Sequence, residues 1–479
     1  MTLMISMSWI GVMLLIGVVL RAVIKPLGNI LMPACVTGGI IGFILMNTGI
    51  LTRLGVDFNL LNTIVTNLFT ITFISMGLTG TPKEDGVSAG KESAKGAMLE
   101  GFVWSSLYSV QAIVAFGVLA LIGGFFGMSA KYGLQIPFAF CQGPGQSATY
   151  GAMIEAGGLQ PDAQQVGITF AVLGFVFAFL IGVPIAKRGL RHNLATYPRD
   201  ISAGIKRGIF EPEEQNQTAG TMTTYSGNID SLAFNFALVG LGYAITQPIC
   251  AALRAVPATN FLGTFVSTFG SMEFMIGLLV GYLIKFIMNK TNTKKYHDDT
   301  SQARITGWGT DFMICAAFMA VQLAVVGKWL IPIIIACIAT AAVTFIFCLY
   351  FTEHLNGAYD FERLLGLWGT STGTCPSGVA LIRIVDPELK TTAAAEMGLM
   401  NVFMWGGYVA PFVVMYCCGQ LSGTAMALLY AAFAVGSLAL IFVFRLWHRK
   451  KSFSLLKNER YLTLEDIKQQ HEAAIKAKN

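Results

Sequence analysis

Apolar runs of about 20 residues recur along this chain of 479 residues, and each is long enough to cross a hydrocarbon core about 30 Å thick. Only 12% of the residues are charged, against about 25% in soluble domains. The pattern therefore predicts an all-α integral membrane protein. We predict membrane helices at 6–24, 31–50, 60–79, 99–124, 165–186, 229–253, 262–288, 308–327, 329–351, 393–416 and 423–446.

Two polar stretches interrupt the apolar pattern in the same way. Residues 141–151 read CQGPGQSATYG, and residues 369–378 read GTSTGTCPSG. Irregular backbone at membrane depth is tolerated only where protein or a water-filled cavity surrounds it. A matched pair of such breaks indicates the binding site of a transporter. We predict a re-entrant hairpin at each break, near 132–155 and 359–383.

The distribution of basic residues predicts the orientation. The net charge of +6 comes from residues between apolar runs, which favours membrane orientation over nucleic-acid binding. If the N-terminus is outside and neither hairpin crosses, the outside loops hold Arg53, Lys131, Arg254 and Lys328. The other 28 of the 32 Lys and Arg residues then lie inside or at inner helix ends. A crossing at either break would reverse every later loop, so we predict an outside N-terminus and a cytoplasmic C-terminus.

The same layout contains an internal repeat. Five predicted helices and a hairpin occupy 1–186, and the same succession occupies 227–416, after a cytoplasmic linker at 187–226. Because five crossings are an odd number, the two repeats have opposite topology, and their hairpins enter from opposite sides to meet near the midplane. One extra transmembrane helix at 417–446 and a cytoplasmic tail at 447–479 follow, with a short amphipathic helix predicted at 462–477.

At these residues the chain resembles the bacterial sodium/glutamate symporters. The resemblance covers most of 30–416 and rests on the glycine-rich breaks and on three segments: TITFISMG at 70–77, TDFMICAAFM at 310–319 and YDFE at 359–362. It implies two inverted five-helix repeats, a sodium-coupled alternating-access cycle and a homodimer. The family's first loop reads close to Gly-Gly-His-Gly-Thr, whereas this chain has QGPGQS at 142–147.

The two breaks supply the candidate ligands. Helices that start at the hairpin tips would offer N–H groups and positive dipole ends to a carboxylate, while carbonyl and hydroxyl oxygens suit Na⁺. The alternative is that both breaks are packing kinks rich in small residues. The substrate-binding candidates are Gln142, Gln146, Ser147, Thr149, Ser371, Thr372, Thr374, Ser377 and Arg383. The Na⁺ candidates are Asp311, Gly143, Gly145, Thr370, Gly373 and Asn401.

Three of these candidates have competing interpretations. Asp311 is either an N-cap that opens a helix at the inner interface or a ligand for sodium or substrate. Arg383 either neutralises an anionic substrate with a bidentate guanidinium or anchors the inner interface. Asn401 lies deeper than Glu396 on the same predicted helix, so we favour Asn401 as a ligand.

Other ionisable residues within apolar segments are costly and therefore functional candidates. Glu273, predicted in mid-helix, has either a role in coupling or a buried interhelical pair. Asp360, Glu362 and Arg363 precede the second break and are expected to form a local ion pair at the inner surface.

The two breaks predict a secondary transporter, and the resemblance implies a sodium-coupled symporter that imports glutamate across the bacterial inner membrane, with an elevator-like cycle expected. Na⁺ is the expected coupling ion, with no other cofactor, and the expected partners are the lipid bilayer and a second copy of the chain. A sodium- or proton-coupled carrier of another carboxylate or amino acid is one alternative, and an ion channel is another. The sequence contains no nucleophile–base pair and no nucleotide-binding signature, so we do not expect an enzyme.

Overall fold

A computed structural model describes residues 2–29, 31–79, 89–197, 203–212, 220–257, 261–386 and 390–463. In chain order its helices are α1 (Thr2–Val23), α2 (Lys25–Asn29), α3 (Ala34–Asn47), α4 (Ile50–Arg53), α5 (Phe58–Leu78), α6 (Ala89–Ile122), α7 (Ile136–Phe140), α8 (Pro144–Ala156), α9 (Ala163–Arg191), α10 (Ala203–Arg207), α11 (Ser231–Arg254), α12 (Phe261–Gly270), α13 (Glu273–Lys290), α14 (Asp299–Ala320), α15 (Leu323–Val326), α16 (Leu330–Glu353), α17 (Asp360–Thr372), α18 (Cys375–Val385), α19 (Ala393–Leu399), α20 (Ala410–Cys417) and α21 (Gly423–Val443). Two short strands, β1 (Phe453–Ser454) and β2 (Glu459–Arg460), form an antiparallel hairpin.

Among the described residues, eight helical segments are long and apolar enough to cross a membrane, which agrees with an all-α membrane protein. They are Thr2–Val23, Phe58–Leu78, Glu92–Phe126, Ala163–Arg191, Ser231–Arg254, Leu323–Glu353, Ala393–Cys417 and Gly423–Val443. Each corresponds to one predicted membrane helix. The other three predicted helices correspond to α3, with 14 residues, to the interrupted pair α12 and α13, and to α14, whose first half is polar. Eleven crossings therefore stay a prediction.

The chain folds into two compact units. Unit 1 comprises Met1–Thr81, Pro144–Ile168 and Ala203–Val326, and unit 2 comprises Pro82–Gly143, Thr169–Ser202 and Gly327–Asn479. Each unit therefore draws helices from both predicted repeats. The repeats themselves stay a prediction.

The core of unit 1 lies where α5 packs against α11, α13 and α14. Buried aliphatic side chains such as Ile74, Val280 and Ile305 fill it. A Cβ added to Gly281 would lie 3.0 Å from the Cα of Gly77. The backbones of α5 and α13 therefore approach closely through two glycines, as is common between membrane helices.

Unit 2 is built around α6, which has 34 residues. The hydroxyl of Ser105 accepts a hydrogen bond from Gly406 N at 3.1 Å and donates one to Phe403 O at 3.3 Å. The segment between α19 and α20 is irregular, so some of its backbone groups have no partner within a helix. Ser105 provides hydrogen bonds for two of them.

The segment that follows α21 returns to unit 2. Arg460 of β2 donates hydrogen bonds to the carbonyl oxygens of Ala195 and Ala358, each at 2.9 Å. The Glu353 carboxylate accepts from Lys451 Nζ at 2.5 Å and from Leu455 N at 2.9 Å. The first part of the predicted tail is thus a docked β-hairpin. The amphipathic helix predicted at 462–477 lies, except for its first two residues, outside the described part of the chain.

Several predicted helices have different bounds in the structure; the helix predicted at 99–124 begins ten residues earlier, at Ala89. The helix predicted at 262–288 is interrupted at Ser271 and Met272. The helix predicted at 308–327 begins at Asp299, because the side chain of Asp298 accepts from Ser301 N at 2.7 Å and caps it. The helix predicted at 393–416 divides into α19 and α20, with 3₁₀ turns at Met400–Val402 and Trp405–Val409 between them.

Candidate functional site

Both polar stretches interrupt helices, as predicted. At the first, α7 ends at Phe140 and α8 begins at Pro144. Gly143 has a φ of +84°, a left-handed conformation that glycine adopts without steric cost. Pro144 cannot donate a backbone hydrogen bond, which suits the first position of a helix. The residues at this break therefore dictate its conformation.

The second break forms a helical hairpin within unit 2. α17 ends at Thr372, and α18 begins at Cys375 without a side-chain N-cap hydrogen bond. A Cβ added to Gly369 would lie 2.7 Å from the Cα of Gly378, and Gly366 lies against Ile382. These contacts run antiparallel, so α18 folds back along α17. Pro376 has no N–H group, and Ser377 N and Gly378 N donate to Thr374 O at 2.9 Å and 3.2 Å. The binding of a carboxylate by N–H groups at this tip stays a prediction.

Some hydroxyl groups of the hairpin are already hydrogen-bonded. Thr372 donates to Trp368 O at 2.7 Å, and the hydroxyls of Thr374 and Ser377 lie 3.3 Å apart. Thr370 contacts the sulfur of Met397 at 3.5 Å. Thr374 and Ser377 therefore remain together at the tip, whereas Thr372 is bonded to its own helix.

One side chain that the sequence did not single out connects the two breaks within unit 2. Gln111 of α6 donates to Ser371 O at 2.8 Å and to Thr344 Oγ1 at 2.9 Å. Its Oε1 lies 3.2 Å from the thiol of Cys141. The side chain is buried, with 1% of its surface exposed. Gln111 thus holds the end of α7 and hairpin residue Ser371 in one polar cluster.

Two aromatic residues extend this cluster along α6. Tyr108 OH donates to Gln142 Oε1 at 2.9 Å, and Trp104 Nε1 donates to Cys141 O at 3.3 Å. With Gln111 they follow i, i+4, i+7 spacing, which places all three on one face of the helix. That spacing is visible in the sequence and is the signal that predicts this polar face of α6.

The remaining candidates of the first break lie in unit 1, on α8. Gln146 and Ser147 are buried, and neither Gln146 Nε2 nor Ser147 Oγ has a hydrogen-bond partner among the described residues. Thr149 instead donates to Gly145 O at 2.9 Å. Gly145 packs against Phe69 of α5. Buried polar atoms without protein partners are unusual and indicate a place for a ligand or water.

Asp311 does not open a helix. It lies within α14, one turn beyond Gly307, because the helix begins twelve residues earlier at Asp299. The N-cap interpretation is therefore wrong, and Asp298 has that role. The carboxylate of Asp311 is exposed in unit 1 and hydrogen-bonds with the thiol of Cys35.

Asn401 and Arg383 lie at different distances from the tip of the second hairpin. Asn401, in the 3₁₀ turn after α19, donates to Met397 O at 3.1 Å and lies 4.0 Å from Cys375 Sγ. Arg383 is exposed, and eight residues separate it from the first residue of α18. At 1.5 Å per residue, that is about 12 Å along the helix axis.

The acidic residues near the second break form ion pairs in unit 2. Arg363 pairs with Asp360 at 2.8 Å, as predicted, and also with Glu396 at 2.8 Å and Glu92 at 3.0 Å. Glu362 is not part of this group, since it accepts from Thr196 N at 2.6 Å. The predicted local pair is therefore one part of a larger buried cluster.

Glu273 forms an interhelical ion pair, which is one of its two predicted roles, but it lies at the start of a helix and not in its middle. It is the first residue of α13. Its carboxylate accepts from Arg254 at 2.5 Å and from Gln247 at 3.0 Å, both on α11. A structural role follows from these contacts.

Interrupted helices that bring polar groups together in an all-α membrane protein are typical of secondary transporters. Comparison with protein families agrees with this class. The family described as sodium/glutamate symporter matches residues 1–388, and the chain belongs to that family. It is thus a membrane protein of sodium-coupled amino-acid symport, with glutamate as the family's solute. No curated protein matches the chain.

Proposed function

We propose that this chain imports glutamate together with Na⁺ by alternating access, with the two breaks supplying the binding site. The observation that carries the proposal is the polar cluster around Gln111. It joins Cys141, at the end of α7, to Ser371 of the second hairpin within one compact unit. Breaks that were only packing kinks would not need a buried glutamine to connect them.

The lengths of the hairpin helices support re-entry. α17 has 13 residues and α18 has 11, so they extend about 20 Å and about 17 Å. A bilayer core is about 30 Å thick, so neither helix crosses it alone. We infer that this antiparallel pair enters and leaves on the cytoplasmic side, and that the first break has the inverted arrangement.

The division into units supports an elevator-like cycle. Unit 1 holds the first three predicted membrane helices of each repeat, and unit 2 holds the last two of each and the second hairpin. An inverted repeat would produce such a matched division. We propose that a unit carrying the bound solute moves against a homodimeric scaffold.

Different groups of the protein are proposed to bind different parts of the substrate. Its carboxylates would bind the N-terminus of α18, where the side chain of Thr374 caps no backbone N–H group. Gln146 and Ser147, in unit 1, are separate substrate candidates, since both are buried with unpartnered atoms. The full proposed set is Gln142, Gln146, Ser147, Thr149, Ser371, Thr372, Thr374, Ser377 and Arg383.

Na⁺ would bind oxygen atoms at the irregular backbone. Gly143, Gly145 and Gly373 offer carbonyl oxygens, and Thr370 offers a hydroxyl. Asn401 lies in an interrupted helix close to Cys375, and Asp311 offers a carboxylate. Binding a cation near the hairpin tip lowers the electrostatic cost of bringing an anion there.

Uptake into proteoliposomes tests the proposal. Reconstituted protein should accumulate radiolabelled glutamate against its gradient when Na⁺ is outside, and replacing Na⁺ by K⁺ should abolish accumulation. Empty liposomes are the control. Accumulation that is unaffected by the swap would overturn sodium coupling, and stepwise single-channel currents would favour a channel.

A carrier of another carboxylate is the second candidate, because residues 142–147 depart from the family's usual first loop. Thermal unfolding of the purified protein across amino acids and dicarboxylates, with and without Na⁺, separates the two. A ligand that binds only the folded state raises the melting temperature by mass action. Stabilisation by a different carboxylate, and none by glutamate, would favour the second candidate.

A further inference from the structure

A buried carboxylate in α6 has no hydrogen-bond partner. Glu100 is 0% exposed, and in the described part of the chain neither of its side-chain oxygens is hydrogen-bonded. Burying an ionised carboxylate without donors is very costly, so such a group is neutralised or paired. Glu100 takes no part in the site described above.

Glu100 lies on the face of α6 that contacts the buried ion-pair cluster. This cluster consists of Arg363, Glu396, Asp360 and Glu92. Gly96, one turn earlier, is so close to this cluster that an added Cβ would lie 2.1 Å from Glu396 Oε2 and 2.5 Å from Arg363 Nε. Residues four apart on a helix lie on the same face. The side chain of Glu100 is therefore directed towards the Arg363–Glu396 pair.

Arg363 has no donor left for Glu100. Its Nε and Nη2 bind the two oxygens of Glu396, each at 2.8 Å. Its Nη1 binds Asp360 and Glu92, and Nη2 also donates to Glu92 O at 3.2 Å. A guanidinium has five N–H donors, and all five are used.

The charge balance of the cluster also leaves Glu100 without a partner. Glu92, Asp360 and Glu396 face the single charge of Arg363, and Lys95 provides a second positive charge while donating to Asn356 O. Three carboxylates already exceed two cations. An ionised Glu100 would increase that excess within the protein interior, where like charges interact strongly.

We propose that Glu100 is a proton-binding site whose state is linked to the Arg363–Glu396 pair. We infer that the carboxyl group holds a proton in this arrangement. When the proton leaves to solvent, the carboxylate competes with Glu396 for the guanidinium, and α6 and α19 then change their contact. This inference goes beyond the proposed function: it adds pH dependence to the cycle, and only its transport test relies on that function.

The groups that face Glu100 come from four packed elements. Glu396 belongs to α19, Arg363 and Asp360 to α17, Cys348 to α16 and Cys375 to α18. A cation such as Na⁺ at this position would require several more oxygen ligands than one carboxylate. The two oxygens of Glu396 are already bound by Arg363 and Thr392. A proton needs only Glu100 itself.

Infrared spectroscopy of the purified protein tests the proton directly. A protonated carboxyl has a C=O band that is distinct from carboxylate bands, so the wild type at neutral pH should show it and Glu100→Gln should lack it. Glu211→Gln, at an exposed residue, should keep the band. Should Glu100→Gln not fold, Glu100→Asp replaces it, and the band should shift. A spectrum that Glu100 substitutions leave unchanged, or one with a carboxylate band alone, overturns the inference.

Transport tests the coupling separately. At a fixed Na⁺ gradient, uptake by the wild type should change several-fold between about pH 6 and pH 8, while Glu100→Gln should transport at a rate independent of pH. Identical pH profiles would overturn the coupling even if the band is lost. Absence of any Na⁺-driven uptake by the wild type would instead count against the proposed function, and the infrared result would still decide whether Glu100 holds a proton.

Discussion

Arg363 is the residue whose removal should destabilise unit 2 most. It is fully buried and pairs with carboxylates of α6, α17 and α19. Arg363→Gln leaves these carboxylates without their cation, and removing one partner of a buried pair costs about 3–5 kcal/mol. We expect a marked fall in the thermal unfolding midpoint of the purified protein.

An exposed arginine provides the matched control. Arg207 pairs with Glu211 at 2.8 Å, but 42% and 57% of their side chains are exposed. Such pairs contribute about 0–1 kcal/mol, so Arg207→Gln should leave the midpoint almost unchanged. Equal effects of the two substitutions would contradict the stabilising role of the buried cluster.

Gln111 should matter for transport because it connects the two breaks. Gln111→Ala removes its hydrogen bonds to Ser371 and Thr344 and leaves a buried carbonyl without a donor, which costs about 1–3 kcal/mol. We expect kcat/KM for Na⁺-driven uptake to fall about tenfold or more. Gln420→Ala, at an exposed glutamine of the same unit, is the control. Uptake that is unaffected by Gln111→Ala would separate the polar cluster from transport.

At the scale of elements, the crossing of α5 and α13 depends on glycine. A Cβ on Gly281 would lie 2.7 Å from Ile74 O, so Gly281→Ala must push the two backbones apart. Overpacking of this kind costs about 1–3 kcal/mol. Gly240→Ala on α11 meets no atom within 4 Å and should stabilise its helix slightly. Opposite shifts of the unfolding midpoint are expected, and a fall for both variants would count against the crossing.

Local sequence predicted where helices lie better than where they are interrupted. The breaks at 141–143 and 373–374 contain glycine next to proline or threonine, whose backbone preferences act locally. The break at Ser271 and Met272 follows Gly270 but has no proline or threonine next to that glycine. The irregular segment at 400–409 is stabilised by Ser105, which lies about 300 residues away in the sequence. A tertiary contact thus contributes to the interruption at 400–409.

The functional site likewise contains some residues that the sequence predicted and others that it did not. Polar residues at the breaks were predicted because they stand out from apolar runs. Gln111 lies within an apolar run, and Glu100 lies at the start of one, so neither stands out by composition. Their importance depends on contacts with Ser371, Cys141 and the Arg363 cluster, which no local pattern encodes.

At the scale of the whole molecule, the two compact units do not follow the chain's halves. Residues 144–168 of the first predicted repeat belong to unit 1, whereas the corresponding hairpin of the second belongs to unit 2. The match between the repeats is therefore incomplete at the first break. This is also where the sequence departs from the family's first loop, so substrate selectivity is best sought at residues 142–147.

Because a break separates α12 from α13, the topology depends on whether residues 262–288 cross the membrane. If residues 262–288 cross the membrane despite the break at Ser271, Pro257 and Asn292 lie on opposite sides. The basic residues that follow α13, including Lys294 and Lys295, then lie inside, as the positive-inside rule requires. Alkaline phosphatase fused after Pro257 should be active in the periplasm, and green fluorescent protein fused after Asn292 should fluoresce. Absence of fluorescence after Asn292, with phosphatase activity when that enzyme is fused there instead, would mean that this segment does not cross and that every later loop changes sides.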